Sequence, residues 1–259
     1  MASASRSVPS GYSAFAVGGV EVVSADRVAP SIRAAFASGS STLHDYARRH
    51  ANAKPLAGRG IAYAAPLPDG TRVVVRHNRH GGLLGPLTRD LFLPPTRAPL
   101  ELEASLRLSR AGVPTPELLA YAIYPAPLGF RRADVVTREV AESFDLSEVL
   151  TQADESLRAR SWAAVADLLR RLSAAGARHH DLNVKNVLLR PRGGALEALA
   201  LDVDRVTFGS GDVMTANVAR LSRSARKWRE RQGATLDESE LAVLARSVFE
   251  ASLSAVTRS

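Results

Sequence analysis

The run Arg178-His179-His180-Asp181-Leu182-Asn183-Val184-Lys185-Asn186, followed downstream by Leu201-Asp202-Val203-Asp204, holds residue types suited to moving a phosphoryl group. A carboxylate at Asp181 can accept the proton of an attacking hydroxyl. Asn186 and Asp202 offer hard oxygens of the kind magnesium takes while it neutralises nucleotide phosphates. Any one of these residues alone reads as ordinary turn chemistry: Asp181 and Asn183 as an Asx turn, Asp202 and Asp204 as hairpin polars. Their combined spacing, with an Asn five residues after the first Asp and a second acidic pair beyond two apolar runs, favours the catalytic reading.

Those apolar runs explain how the two acidic positions could meet. Val187-Leu188-Leu189 and Ala198-Leu199-Ala200-Leu201 read as strands, and the Gly- and Pro-rich stretch between them closes a hairpin that returns Asp202 towards Asn186. Trp162, Val165, Leu169 and Leu172 mark an amphipathic helix that ends near Gly176 and delivers the chain to the loop. A final helix over 236–253 carries a packing stripe of Leu241, Leu244, Val248 and Phe249.

Further upstream, 60–67 and 71–77 are β-rich and flank Pro68-Asp69-Gly70, which predicts a hairpin. Gly58-Arg59-Gly60 just before it either lets backbone amides approach a phosphate or forms an ordinary turn. Val73-Val74-Val75-Arg76 has the form of a strand that presents a cation to nucleotide phosphates, with arginine's planar fork in place of lysine's point charge. A helix is expected over 100–110, begun by Pro99 and ended by Gly112, with Leu102, Ser105, Leu106 and Ser109 as its packed stripe. Glu101 is the candidate carboxylate to pair with that cation and Glu103 the neighbouring alternative; glutamates in a first turn also answer the helix dipole. Extended runs at 118–123 and 134–140 complete a small β-rich part of five strands and one helix, and Phe144-Asp145-Leu146 opens a larger helical part.

Composition sets the outer bounds. With 259 residues and 46% hydrophobic content, the chain can bury the core of one two-lobed enzyme, and it contains no evident internal repeat. The absence of cysteine excludes disulfides, zinc-thiolate sites and thiol nucleophiles, and agrees with a cytoplasmic setting. Residues 1–11 are small and polar, lack the pattern of a secretory signal and are expected to be loose. No run of about 18 apolar residues suggests a spanning helix. A net charge of +8 calls for an acidic partner. Arg220, Arg223, Arg226, Lys227, Arg229 and Arg231, with Trp228 among them, suit either an anionic lipid surface or a solvated helix face paired with Glu230, Asp237 and Glu238. No aromatic platform interleaves with the arginines, so nucleic acid is not the expected partner.

Taken in order, Gly58-Arg59-Gly60, Val75-Arg76-His77-Asn78-Arg79-His80-Gly81-Gly82, Gly112-Val113-Pro114-Thr115-Pro116, His180-Asp181-Leu182-Asn183 and Leu201-Asp202-Val203-Asp204-Arg205 resemble the 3-deoxy-D-manno-octulosonic acid (Kdo) kinase and lipopolysaccharide core kinase family. The resemblance implies an α+β, protein-kinase-like two-lobed fold: a β-rich N-terminal lobe over 12–140 and a mainly helical C-terminal lobe over 141–259. It implies ATP as phosphoryl donor, Mg2+, and a sugar of the lipopolysaccharide inner core as acceptor. The Arg-His-x-Arg-x-Gly-Gly segment is most similar to the branch acting on Kdo attached to a lipid A precursor.

By the same resemblance Asp181 is the catalytic base, Asn186 and Asp202 bind metal, Gly58, Gly60, Arg76 and Glu101 serve the nucleotide, and Asn183 polarises the acceptor or stabilises the loop. His179 supports loop backbone. Lys185 either adds charge or is a solvated loop lysine, and Asp204 is either a further carboxylate near the metal or a salt-bridged surface residue. A glycolipid acceptor implies peripheral contact with the anionic cytoplasmic face of the inner membrane. Val203, where the family usually has an aromatic residue, and Arg76, in place of lysine, motivate the alternative of an inactive binding module; a heptose or other small-molecule kinase is the remaining alternative.

Overall fold

A computed structural model describes residues 7–56, 62–78, 90–151, 154–234 and 236–256. Helix and sheet are mixed, in two compact units: one drawn from Met1–Leu100 and Glu117–Glu139, the other from Glu101–Pro116 and Val140–Ser259.

The first unit is built on an antiparallel seven-stranded sheet. Its strands are β1 (Tyr12–Val17), β2 (Val20–Ala25), β3 (Lys54–Leu56), β4 (Ala62–Pro66), β5 (Arg72–His77), β6 (Leu118–Pro125) and β7 (Arg131–Arg138), in the spatial order β1-β2-β6-β7-β5-β4-β3. Helices α1 (Ala29–Ala37) and α2 (Leu43–Arg49) contribute Ile32, Ala35, Leu43 and Ala47 to a core shared with Val22, Val73, Val75, Leu119 and Val136. The sheet has seven strands against the five expected, and β1, β2, β3, α1 and α2 are the elements that no run named from sequence covers. The β1–β2 hairpin turns on Gly18 and Gly19, both at positive φ, a two-residue Gly-Gly signal legible in the sequence. At the β4–β5 turn, Thr71 donates its N–H to Asp69 Oδ1 at 2.9 Å and Gly70 adopts φ 84°. Alternation along β5 buries Val73 and Val75 on one face and leaves Arg76 on the other, half-buried and opposite Val135.

The second unit begins in helix α3 (Ala98–Arg110), whose residues from Glu101 onward belong to it. It also contains short α4 (Leu146–Val149), long α5 (Glu155–Ala174), α6 (Val213–Gln232), α7 (Glu238–Val256) and two small sheets, β11-β10-β8 and β12-β9. These contain β8 (Phe144–Asp145), β9 (Ala177–His179), β10 (Val187–Arg192), β11 (Ala195–Ala200) and β12 (Val206–Phe208). The expected Trp162, Val165, Leu169 and Leu172 all lie in the core. Two stripes are corrected. In α3 the buried positions are Ala98, Glu101, Leu102, Ala104, Ser105 and Leu108, while Ser109 is exposed; in α7 Leu241, Leu244 and Val248 are buried but Phe249 is 36% exposed. Phe249 sits about 100° around the helix from Val248, which carries it off the packed face.

Candidate active site

Helix α5 must reverse direction sharply to feed the loop. Ala175 and Gly176 close it, and Gly176 takes φ 60°, a conformation open to glycine without a Cβ penalty. Gly209 donates its N–H to the Gly176 carbonyl at 3.0 Å, and a Cβ on Gly176 would lie 2.8 Å from the Gly209 oxygen. β9 then pairs with β12, in the register His179 to Val206, which holds the loop beside the turn containing Asp202.

Inside the loop, His179 is almost wholly buried. Its Nδ1 accepts the backbone N–H of Asp181 at 3.2 Å, which leaves Nε2–H to donate to the Leu201 carbonyl at 2.8 Å. Burial lowers the pKa of this imidazole, against the opposing pull of its bond to Leu201 and the nearby aspartates, in keeping with a neutral ring that accepts on one side and donates on the other. Asn183 is engaged at both ends: its Nδ2 donates to the Asp181 carbonyl at 3.0 Å and its Oδ1 accepts from Lys185 N–H at 2.9 Å. Buried Asn186 also donates Nδ2 to the Asp181 carbonyl, at 2.8 Å. Because a carbonyl only accepts, that bond fixes the orientation of the amide and leaves Oδ1 as its acceptor.

The second acidic arm is tied to the first through backbone. Leu201 donates its N–H to the Asn186 carbonyl at 2.9 Å, so the step from β11 into Asp202 begins against the loop. Asp202 adopts φ 52°, ψ 52°, a left-handed conformation that costs of order 1–3 kcal/mol for a residue with a side chain. The Pro114-Thr115 corner braces this arm: the Pro114 carbonyl accepts Ala200 N–H at 3.0 Å and Thr115 Oγ1 donates to the Ala200 carbonyl at 2.9 Å. Asn186 Oδ1 and the Asp202 carboxylate are both hard oxygens, carried on segments that the Leu201 to Asn186 backbone bond ties together. Among the described residues no three His, Asp or Glu side chains cluster closely enough to form a closed metal cage.

Helix α6 follows the loop residue by residue, a relationship missed by the sequence reading of its basic segment as one patch. Asn217 accepts His179 N–H and donates to the Ala177 carbonyl; Arg220 Nη2 donates to Asp181 Oδ1 at 2.7 Å; Ser224 Oγ accepts Val184 N–H; and Lys185 Nζ lies 5.1 Å from the centre of the Trp228 ring. The spacing 217, 220, 224, 228 is one helical face. Arg226 and Arg229 instead bond Glu238, one of the carboxylates expected to neutralise this segment.

The remaining nucleotide candidates are distributed differently. Arg76 belongs to the first unit and Glu101 to the second, where Glu101 is buried and its alternative Glu103 is exposed. Gly58 and Gly60 lie outside the described residues, as do Arg79, His80, Gly81 and Gly82. His180 is exposed and bonds Thr207 Oγ1 at 2.7 Å.

Over residues 48–239 the sequence matches the lipopolysaccharide kinase (Kdo/WaaP) family. The chain belongs to this family. A 3-deoxy-D-manno-octulosonic acid kinase of Actinobacillus succinogenes is 35% identical over 190 residues, covering 71% of this chain and 78% of the relative. One from Haemophilus influenzae (strain 86-028NP) is 33% identical over 178 residues, covering 66% and 73%. The fold is shared with the solved structure of WaaP in complex with acyl carrier protein, at TM-score 0.51 and 21% identity, across 76% of this chain and 78% of that one. As a member of a lipopolysaccharide kinase family, the protein is a phosphotransferase with a hydroxyl acceptor in lipopolysaccharide biosynthesis. Among the described residues no helix is long and apolar enough to cross a membrane.

Proposed function

We propose that this kinase transfers the terminal phosphoryl group of ATP to a hydroxyl of Kdo on a lipid A precursor, with a two-lobed, protein-kinase-like arrangement of its units. The observation that carries the reading is the bonded constellation of the loop. Asn186 and Asn183 both hold the Asp181 carbonyl, and the Asn186 carbonyl holds the strand that ends at Asp202. The acceptor is taken from the relatives that act as 3-deoxy-D-manno-octulosonic acid kinases.

In this mechanism the acceptor hydroxyl gives its proton to the Asp181 carboxylate as its oxygen bonds to the terminal phosphorus. The bond from that phosphorus to the bridging oxygen breaks, and ADP leaves with the electron pair. Asn183, with both amide ends engaged in the loop, acts by positioning Asp181. Asn186 Oδ1 and the Asp202 carboxylate would hold magnesium, which supplies charge neutralisation on the nucleotide when bound. Arg76 and Glu101 would orient the nucleotide phosphates as a pair, Gly58 and Gly60 would approach them through backbone, and Arg223, Lys227 and Arg231 would lie towards an anionic inner-membrane surface.

The test is to incubate the protein with magnesium, labelled ATP and Kdo-bearing lipid A precursor, beside a heptose-containing core and an Asp181→Ala control. The expected result is label on Kdo, reduced by about 10²–10⁴-fold or more in the variant while nucleotide binding persists. Label only on heptose overturns the acceptor assignment, and a fully active Asp181→Ala variant removes Asp181 from the mechanism.

A further inference from the structure

Arg220 stands apart from the other arginines of α6. It reaches into the loop to bond Asp181 at 2.7 Å, its Nε is buried without a hydrogen-bond partner, and its side chain is nevertheless 40% exposed. One of its five N–H groups is therefore spent on the catalytic carboxylate while part of the fork faces outward. Arg223 and Lys227 follow three and seven residues later on the same flank, and both are exposed. Arg226 and Arg229, turned about 120° and 180° around the helix from Arg220, share Glu238. Positive charge thus continues away from Asp181 along the Arg220 flank of α6 at Arg223 and Lys227.

A kinase acting on an acid sugar faces an electrostatic problem that one acting on a neutral sugar does not. Its base is a carboxylate, and its acceptor carries a second carboxylate on the same small ring as the reacting hydroxyl. Like charges at that separation repel unless a cation lies between them. Arginine's planar fork can bond two carboxylates at once, one on each edge, where a lysine offers a single point of charge.

We infer that Arg220 bridges Asp181 and the carboxylate of the acceptor sugar, so that it selects an acid sugar over a neutral one, with Arg223 and Lys227 continuing the anionic subsite along α6. This rests on the Kdo reading above. In it Arg220 touches the substrate at a group other than the hydroxyl that receives the phosphoryl, and it makes specificity a matter of charge pairing as well as shape.

The experiment compares wild type, Arg220→Met and Arg220→Lys on two acceptors: Kdo-bearing lipid A precursor and the same precursor with the Kdo carboxylate converted to a neutral carboxamide. In wild type the carboxamide should raise acceptor KM about 10–100-fold, the loss of one charge-assisted contact. Arg220→Met should raise KM for the native acceptor by a similar factor and change KM for the carboxamide much less, so the wild-type preference collapses. A fall in kcat that is equal for both acceptors, with the preference intact, means that Arg220 only holds Asp181 and overturns the inference. If Arg220→Met does not fold, Arg220→Lys decides: a reduced preference supports the bridge and an unchanged preference overturns it. Wild type that labels acid and carboxamide acceptors equally well removes the subsite alone; wild type that labels no Kdo acceptor removes the acceptor reading and the subsite together.

Discussion

The His179 ring accepts the N–H of Asp181 on one nitrogen and gives the N–H of the other to the Leu201 carbonyl, so a single neutral imidazole spaces the 179–186 loop from the arm that carries Asp202. Alanine at this position removes the partner of the part-buried Asp181 N–H and Leu201 carbonyl, at a cost of about 1 kcal/mol each. His179→Ala is expected to lower the melting temperature and to reduce kcat by about 10²-fold through misplacement of Asp181, since small displacements of a catalytic group carry penalties of that order. Steady-state kinetics on the purified, folded variant check this, and an unchanged kcat would show that the ring is dispensable for aligning the two acids.

A second prediction concerns the entry to the loop. Gly176→Ala places a side chain at φ 60° and sets its Cβ against the Gly209 carbonyl oxygen at 2.8 Å, an atom that cannot rotate away because it belongs to backbone. The expected loss is about 2 kcal/mol or more. For a domain of this size that corresponds to a fall in melting temperature of roughly 4–8 °C. Thermal unfolding followed by circular dichroism reads it directly, and a variant as stable as wild type would mean that the α5-to-β9 turn relaxes without cost.

Much of the second unit was readable because its signals are local. The stripe of α5, the glycine that stops it and the two apolar runs of the β10–β11 hairpin each declare themselves within a few residues. The docking of Asn217, Arg220, Ser224 and Trp228 on the loop was not readable, since an arginine that pairs with an aspartate 39 positions away looks in sequence like any other in a basic run. Leu108 replaced Ser109 in the packed face of α3 because tertiary contact, not composition, sets the phase of a weakly patterned helix. In the first unit, α1 and α2 went unread; both are short, and their hold on the sheet depends on residues distant in sequence, such as Tyr124, whose hydroxyl accepts Leu43 N–H at 2.9 Å.

The first unit also holds a charge relay whose pH response has a definite sign. His77 donates from Nδ1 to fully buried Asp134 at 2.6 Å and from Nε2 to Asp90 at 3.0 Å; Tyr124 and the His44 backbone N–H also bond Asp134, and Arg132 pairs with Asp90. Burial alone would lower the His77 pKa, but the two aspartates outweigh it and raise it above its ordinary value of 6.5. A raised folded-state pKa means that the contribution to stability is present below 6.5 and lost as pH rises through the folded-state value. Wild type should therefore lose stability as pH rises above 6.5, in a step that His77→Gln lacks. Denaturant unfolding across that range is the measurement, and parallel curves for the two proteins would assign the titration elsewhere.

Asp145 supplies the opposite kind of test, a carboxylate destabilised in place. On β8, in register with Leu188, its pKa is raised from 3.8 to about 6, first by burial and then by Glu148, with Lys185 pulling the other way. The folded state holds this proton more tightly than the unfolded chain, so the stabilising contribution is complete below 3.8 and disappears as pH rises through about 6. Asp145→Asn keeps the shape and removes the charge. The variant should match wild type in acid and exceed it in melting temperature at neutral and alkaline pH, the gap opening across the interval between those two values. A gap that stays constant with pH would mean that Asp145 ionises as it does in the unfolded chain, and that Lys185 compensates its burial fully.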